Sequence, residues 1–258
     1  MGAEYDSLRT SEDAVLGGRL RLRQPLSGHR VGHDAILLAA ATGGRAGEFA
    51  VDLGAGVGGA GLALTRRVDG LKVTLVEIDA ALAQLAAANA HANGLADRVR
   101  VAMCDVEDVN ALGGSGLAAG SADRVLMNPP FHDTSRHNVS PDARRRLAHA
   151  GAPDLLERWV ASAAFLLKPR GVLTLIWRGD GLDDVIDALA HGFGAIAILP
   201  VQPRDGAAAI RALARAVKGG SGAPVYKSPL ILNDAQGRPT AAAEAVLRAG
   251  QTLTLVED

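Results

Sequence analysis

The stretch that decides the fold is Phe49-Ala-Val-Asp-Leu-Gly-Ala-Gly-Val-Gly-Gly59, an apolar strand pattern followed at once by a glycine-rich loop. A helix pattern begins at the last of these glycines and predicts a helix over residues 59–67. Glycines placed between a strand and a helix let the backbone approach a ligand closely at the carboxyl edge of a parallel sheet. The stretch therefore predicts an α/β protein with a ligand at this edge.

Strand and helix patterns alternate along the rest of the chain. Strands are predicted at residues 49–53, 72–77, 99–103, 122–127, 171–177 and 195–200, and helices at 34–41, 59–67, 80–93, 154–167 and 182–191. This alternation is typical of a parallel sheet with helices on both faces. Residues 14–24 alternate apolar residues and arginine around two glycines, which predicts a small β-hairpin. Residues 210–217 fit both helical spacing and alternation, and periodicity alone favours a helix.

Acidic residues end or follow three consecutive predicted strands. Asp52 lies at the end of the first, Glu77 ends the second, and Asp105 follows the third. A carboxylate placed like that of Glu77 can accept both hydroxyls of a ribose, a feature that NAD sites share. Asp105 can accept a hydrogen bond from the exocyclic amine of adenine. Together the acids predict an adenosine-containing cofactor and leave its identity open.

The tetrapeptide Asn128-Pro129-Pro130-Phe131 follows the strand predicted at residues 122–127. The side-chain oxygen of Asn128 and the carbonyl of Pro129, made rigid by the prolines, offer two acceptors to one NH₂ group. The ring of Phe131 offers a face for stacking. The motif predicts a clamp for a nucleobase or an amide, and an ordinary proline turn without a ligand remains the alternative.

Length and composition fit one large globular domain. The chain has 258 residues, of which 48% are apolar and 21% charged, with a formal net charge of −1. A near-neutral balance argues against a strongly basic nucleic-acid binder. A single cysteine, Cys104, excludes a disulfide framework and a thiolate metal cluster and predicts a reducing compartment. With neither a signal pattern nor a membrane-length apolar run, we expect a cytoplasmic protein that binds no membrane.

Basic residues are concentrated in three segments, residues 17–33, 131–149 and 201–227. These segments are consistent with a positive face on one side of the protein, and equally with arginines scattered over a solvated surface. His29, His33, His132 and His137 lie in predicted loops without an obvious ligand spacing, so no metal site is expected.

The glycine loop at residues 52–58, Glu77, Asp105 and the motif at residues 128–131 together resemble the class I S-adenosylmethionine-dependent methyltransferases. The resemblance is to the branch that methylates planar amines through an Asn-Pro-Pro-aromatic motif. Residues 16–20, 28–34 and 216–220 are similar to the bacterial family that contains the tRNA(Val) adenine-N6 methyltransferase.

This resemblance implies a Rossmann-like, doubly wound sheet of seven mostly parallel strands with an antiparallel last strand, plus the small N-terminal β-hairpin. Residues 210–217 are therefore predicted to be a strand. The hairpin and helix of residues 1–45 would cover the cofactor site, and residues 46–258 would form the methyltransferase domain. Monomer and homodimer both remain open.

The resemblance also implies site residues. The residues expected to bind S-adenosylmethionine are Asp52, Gly54, Gly56, Glu77, Asp105, Val106 and Asp34, and those expected to act on the substrate are Asn128, Pro129 and Phe131. Contacts to RNA phosphates are expected from Arg144, Arg145, Arg146, Arg211, Arg215 and Lys218. Asp34 has a second interpretation, because Asp before an aliphatic run is a common helix N-cap.

The implied reaction is methyl transfer to the exocyclic N6 amine of an adenine in RNA, with tRNA as the expected partner. Phe131 stands where that family usually has tyrosine, and Phe131-His132 is also similar to ribosomal-RNA guanine-N2 methyltransferases. Glutamine-N5 methyltransferases of release factors use a similar clamp on an amide. The hypothesis of an NAD-dependent oxidoreductase accounts for the glycine loop and Glu77, but it gives residues 128–131 no role.

Overall fold

The computed structural model describes residues 9–27, 30–130, 154–253 and 255, which are organised around a mixed sheet. Its strands are β1 (Thr10–Val15), β2 (Leu20–Pro25), β3 (Phe49–Leu53), β4 (Lys72–Glu77), β5 (Val99–Met103), β6 (Ala122–Met127), β7 (Leu167–Arg178), β8 (Phe193–Arg204), β9 (Arg211–Lys218), β10 (Val225–Tyr226) and β11 (Leu230–Asn233). The helices within these residues are α1 (His33–Ala41), α2 (Gly59–Arg67), α3 (Ala80–Ala92), α4 (Val109–Gly114), α5 (Leu155–Leu166), α6 (Leu182–Leu189) and α7 (Ala241–Leu247).

The order of the strands across the sheet is β5-β4-β3-β6-β7-β9-β8-β10, and β11 also pairs with β8. Strand β9 is antiparallel to both of its neighbours, β7 and β8. The pairs on either side of β3 are parallel, as are the pairs that β8 makes with β10 and β11. The predicted α/β fold with an antiparallel last strand is confirmed. The two short strands β10 and β11 extend the sheet beyond the seven predicted strands.

The segment at residues 210–217, whose apolar spacing is ambiguous, forms strand β9, as the family resemblance predicted. Leu213 belongs to one apolar core and Ala214 to the other, so both faces of β9 are covered, and Ala212, Leu213 and Ala214 in succession are buried. A strand buried on both faces shows a continuous apolar run instead of alternation. This explains why the spacing of apolar residues did not by itself identify a strand.

The N-terminal hairpin pairs β1 with β2 through a short 3₁₀ turn, Leu16–Gly18. All three turn residues have positive φ, and a Cβ on Gly17 would lie 2.7 Å from the backbone oxygen of Arg248. Leu20 and Leu22 are fully buried in a core cluster shared with α1 and α2. The hairpin begins at Thr10, four residues before the predicted start, because the polar residues of β1 do not show an apolar strand pattern.

Two apolar cores cover the two faces of the sheet. One joins the hairpin, α1, α2 and α3 to the sheet, and the other is formed by α5, α6 and the opposite face of the strands. Among the described residues, no helix has the length and apolar character needed to cross a bilayer.

Candidate active site

Three adjacent strand ends bring the predicted site residues to one edge of the sheet. Leu53, the last residue of β3, is in register with Met127 at the end of β6 and with Val76 near the end of β4. Gly54 and Asn128 therefore leave the sheet side by side, with Glu77 on the other side of Gly54. The glycine loop, the acid and the Asn-Pro-Pro motif meet at the carboxyl edge.

The glycine loop between β3 and α2 has one packed side and one open side. Gly54, Gly56 and Gly58 have left-handed φ values of 69°, 56° and 90°, which favour glycine. A Cβ on Gly54 would overlap the indole of Trp159, lying 2.9 Å from Cζ3. A Cβ on Gly56 would have no heavy atom within 4 Å. The open side at Gly56 leaves room for a ligand to approach the backbone.

Replacing Gly54 or Gly56 by Ala should therefore have different effects. Gly54→Ala combines backbone strain with overlap on a buried indole, so we expect a loss of stability of about 2–4 kcal/mol. Gly56→Ala carries only the strain of about 1–2 kcal/mol, but its methyl group projects into the open space. Thermal unfolding and ligand titration of both variants test this. Equal melting temperatures for the two variants would contradict the assignment of packed and open sides.

The Glu77 carboxylate is held against the glycine loop by backbone donors. The amide of Gly56 donates to its Oε2 and the amide of Asp79 donates to its Oε1, each at 2.8 Å. The carboxyl of Asp79 in turn accepts from Ala81 and Leu82 and caps α3. Two backbone bonds fix the orientation of Glu77, and each carboxylate oxygen retains acceptor capacity for a ribose hydroxyl.

Asn128 provides a buried acceptor that has no donor. Its Oδ1 is buried and has no hydrogen-bond partner within the described residues, and the following Pro129 is also buried. A buried acceptor without a donor costs about 1–3 kcal/mol, so natural proteins rarely keep one without a reason. Trp159 Nε1 is likewise buried without a partner in the described part of the chain. Phe131, the predicted stacking residue, lies outside the described residues.

The chain shares its sequence pattern with a known protein family. It matches the family described as Methyltransferase small domain over residues 27–200, which is more than half of its length. The chain belongs to this family. The predicted S-adenosylmethionine-dependent methyltransferase class is therefore confirmed, and the match goes against the nicotinamide alternative. The open side at Gly56 and the oriented Glu77 carboxylate fit such a cofactor.

Individual relatives of this methyltransferase small domain support the assignment. A tRNA1(Val) (adenine(37)-N6)-methyltransferase of Porphyromonas gingivalis is 35% identical over 160 residues, which are 60% of this chain and 61% of the relative. A protein of the same description from Shewanella amazonensis is 28% identical over 222 residues, or 86% and 91% of the two chains. The match thus spans about three fifths of the Porphyromonas gingivalis relative.

A solved structure extends the similarity to the fold. The predicted O-methyltransferase Atu636 of Agrobacterium tumefaciens superposes with a TM-score of 0.71 at 27% sequence identity, covering 85% of this chain and 97% of that one.

Asp52 is buried beneath the glycine loop of the methyltransferase domain and is hydrogen-bonded to the start of α2. Its side chain is 2% exposed, and its Oδ2 accepts from the amide of Gly61 at 2.7 Å in the first turn of α2. Burial raises the pKa of Asp52 to about 7, the nearby charge of Glu77 also raises it, and the bond from Gly61 lowers it. Direct contact of Asp52 with the cofactor stays a prediction.

The raised pKa of Asp52 makes stability depend on pH. The folded state retains a proton between pH 3.8 and about 7 that the unfolded state releases, so this contribution to stability falls as pH rises through that window. The loss between pH 5 and pH 8 is about 2–3 kcal/mol. Asp52→Asn should remove this part of the slope, as measured by urea unfolding at both pH values. The same slope in both proteins would contradict the raised pKa.

The residues after β5 lie at the same edge but face different surroundings. Asp105 is exposed, and its Oδ1 accepts from the amide of Glu107 at 2.9 Å. The side chain of Val106 is buried in the core, and its carbonyl accepts from Ser162 Oγ at 2.6 Å. Their predicted contacts with the cofactor remain predictions.

Asp34 forms an ion pair instead of capping its helix. Helix α1 begins at His33 with Gly32 as its N-cap and without a side-chain cap, so the N-cap interpretation of Asp34 is wrong. Asp34 lies one residue inside the helix, where its Oδ2 accepts from Arg211 Nε at 2.8 Å. Arg211 lies at the carboxyl edge, because it is in register with Arg178 at the end of β7.

The predicted phosphate contact of Lys218 beside the pocket is wrong. Lys218 is in register with Phe193 at the start of β8, so it lies at the amino edge of the sheet, opposite the site. Its ammonium donates to the carbonyls of Ala164 and Leu167 at the end of α5. Arg215 lies in the middle of β9 opposite Thr174. Residues 144–146, which carry the other predicted arginines, lie outside the described residues.

Within residues 9–27, 30–130, 154–253 and 255, no group of three or more His, Cys, Asp or Glu side chains is arranged to hold a metal ion.

Proposed function

We propose that this protein transfers a methyl group from S-adenosylmethionine to the exocyclic N6 amine of an adenine in RNA, with tRNA as the substrate class. The observation that carries the proposal is the buried Oδ1 of Asn128 next to the glycine loop, which has no hydrogen-bond partner in the described part of the chain. It is an acceptor held ready for an N–H donor, at the edge of the sheet where the cofactor class binds.

Binding of the cofactor would rest on the loop and one acid. Glu77, oriented by the amides of Gly56 and Asp79, would accept the ribose hydroxyls, and the open side at Gly56 would admit the ligand close to the backbone. S-adenosylmethionine, when bound, supplies a methyl group on a positively charged sulfur.

The exocyclic amine of adenine is a weak nucleophile, so the protein has to orient it for methyl transfer. The lone pair of an adenine amine is delocalised into the ring, and deprotonation by a side chain is not a reasonable first step. Asn128 Oδ1 and the carbonyl of Pro129 would each accept one amine hydrogen, which favours a pyramidal nitrogen whose lone pair points away from the two acceptors. Such positioning is worth about 7–11 kcal/mol in favourable cases, so no general base is needed. Phe131 would stack on the base.

The choice of RNA rests on relatives and on charge. The Porphyromonas gingivalis and Shewanella amazonensis relatives are tRNA adenine-N6 methyltransferases by description. An unpaired adenine in a loop can enter the site at little cost, because it need not be pulled out of a duplex. Arg144, Arg145, Arg146, Arg211 and Arg215 remain the proposed phosphate contacts, and residues 1–45 remain the proposed cover of the site.

A protein amide is the second candidate substrate. A release factor glutamine methyltransferase of Chlorobaculum tepidum is 28% identical over 156 residues, or 58% of this chain and 52% of that protein. The two acceptors at Asn128 and Pro129 suit the NH₂ group of glutamine as well as that of adenine. Only the substrate distinguishes the two reactions.

The test uses three separate reactions, each containing the protein, labelled S-adenosylmethionine and one substrate. The three substrates are total tRNA, total rRNA and release factor. Digestion and mass spectrometry then locate the label. We expect N6-methyladenosine in tRNA, and binding of that RNA that weakens steeply with added salt. Label in guanosine of rRNA or in glutamine of the release factor would replace the proposed substrate. Label in none of them would refute methyl transfer to these classes.

A further inference from the structure

Asn89 in α3 connects two parts of the molecule with a single amide. It is 2% exposed, and its Nδ2 donates both to the carbonyl of Val57 in the glycine loop and to the carbonyl of Arg23 in β2, each at 3.0 Å. Its Oδ1 accepts from the amide of Arg23 at 2.8 Å. Both amide hydrogens are thus used, one on the hairpin and one on the loop.

Asn93, one helical turn later, makes the same contacts with β2 but none with the loop. Its Oδ1 accepts from the amide of Arg21 at 3.0 Å, and its Nδ2 donates to the carbonyl of Arg21 at 2.7 Å. The two asparagines pair with the outer edge of β2 much as a neighbouring strand would. Only Asn89 continues to the glycine loop, so Asn93 provides a matched comparison.

A second connection joins β2 to the other end of the same loop. Gln24, next to Arg23, is 2% exposed, and its Oε1 accepts from the amide of Val31 at 2.8 Å. The side chain of Val31 packs on Gly59, where a Cβ would lie 2.8 Å from Val31 Cγ1. Adjacent residues of β2 are therefore linked to both ends of the loop, Arg23 to Val57 through Asn89 and Gln24 to Gly59 through Val31.

We propose that Asn89 is a positioning residue for the cofactor, through which the N-terminal hairpin fixes the conformation of the glycine loop. Val57 lies between Gly56, with its open side, and Gly58, whose φ of 90° is left-handed. Glycines allow many backbone conformations, so a loop of alternating glycines needs contacts from outside to keep one of them. Asn89 supplies such a contact at the centre of the loop. The identity of the ligand rests on the proposed function.

The experiment compares Asn89→Asp with Asn93→Asp. Aspartate keeps the size and one acceptor oxygen, but in Asn89→Asp it turns an oxygen toward the carbonyls of Val57 and Arg23 in place of the donors. We expect the dissociation constant for S-adenosylhomocysteine, measured by calorimetry, to rise about tenfold or more in Asn89→Asp. In Asn93→Asp it should stay within about twofold. If Asn89→Asp does not fold, the neutral variant Asn89→Ser takes its place in the comparison with Asn93→Asp.

Hydrogen exchange without ligand gives a second measurement. The amides of Ala55, Gly56 and Gly58 are bonded to Val76, Glu77 and Ala55 and report on the loop directly. Their exchange should accelerate in the Asn89 variant and not in Asn93→Asp. Equal effects of the two positions on affinity and exchange, or no effect at Asn89, would overturn the inference. Wild-type protein that binds no S-adenosylhomocysteine would refute the proposed function, while exchange would still decide the role of Asn89.

Discussion

Asn128→Ala is expected to lower the rate constant of methyl transfer by about 10²–10³-fold, the cost of removing one preorganised polar contact from a reaction centre. The variant removes the Oδ1 acceptor and leaves the backbone of the Asn-Pro-Pro turn in place. The affinity for S-adenosylhomocysteine should be nearly unchanged, because Asn128 is not among the residues proposed to hold the cofactor. Stability should not fall, because in the unliganded protein this oxygen has no donor within the described residues.

Single-turnover kinetics with saturating RNA separates these effects from binding. Asn128→Asp is the matched control, because it keeps an acceptor oxygen at the same place and should retain more activity than Asn128→Ala. A variant Asn128→Ala that keeps more than about a tenth of the wild-type rate would contradict the proposed role of the amide.

Glu77→Ala is expected to weaken S-adenosylhomocysteine binding by about 10²–10³-fold. The substitution removes the proposed acceptor of the ribose hydroxyls. It also leaves the amides of Gly56 and Asp79 without the carboxylate that now accepts from them. Charge-assisted hydrogen bonds contribute about 1.5–3 kcal/mol each, so losing two or more of them accounts for the expected size.

Glu107→Ala is the matched control for this variant. Glu107 follows β5 at the same edge of the sheet, but its Oε2 accepts from Arg158 at 2.6 Å, and within the described residues it makes no hydrogen bond to the glycine loop. Its carboxylate is partly exposed, so its loss should change ligand affinity less than about threefold. Calorimetry on both variants checks this. Equal affinities for the two variants would mean that Glu77 has no special part in binding.

Much of the fold followed from the sequence because strand ends and glycines carry strong local signals. The bounds of β3, β4, β5 and β6 were predicted to the residue, and with them the meeting of Gly54, Glu77 and Asn128 at one edge. Short elements were missed. Helix α4 ends in two glycines, which weaken a helix pattern, and β10 has only two residues, both exposed.

The partners of individual side chains could not be predicted in the same way. Lys218 is a surface-type residue by composition, yet its ammonium binds carbonyls at the end of a helix because β9 runs antiparallel and places it at the amino edge. The indole of Trp159 packs on Gly54, a contact that no local sequence pattern indicates. Asn89 is an inconspicuous residue in an alanine-rich helix, and only the tertiary structure shows what its amide contacts.

The central claim is that the side-chain oxygen of Asn128 accepts a hydrogen bond from a planar NH₂ group beside the cofactor. A crystal structure of the protein with S-adenosylhomocysteine and an adenosine-containing oligonucleotide tests it most directly. We expect Asn128 Oδ1 and the Pro129 carbonyl each at about 2.7–3.2 Å from the exocyclic nitrogen of the adenine. An adenine amine bound near the cofactor sulfur with Asn128 turned away, beyond about 4 Å, would contradict it.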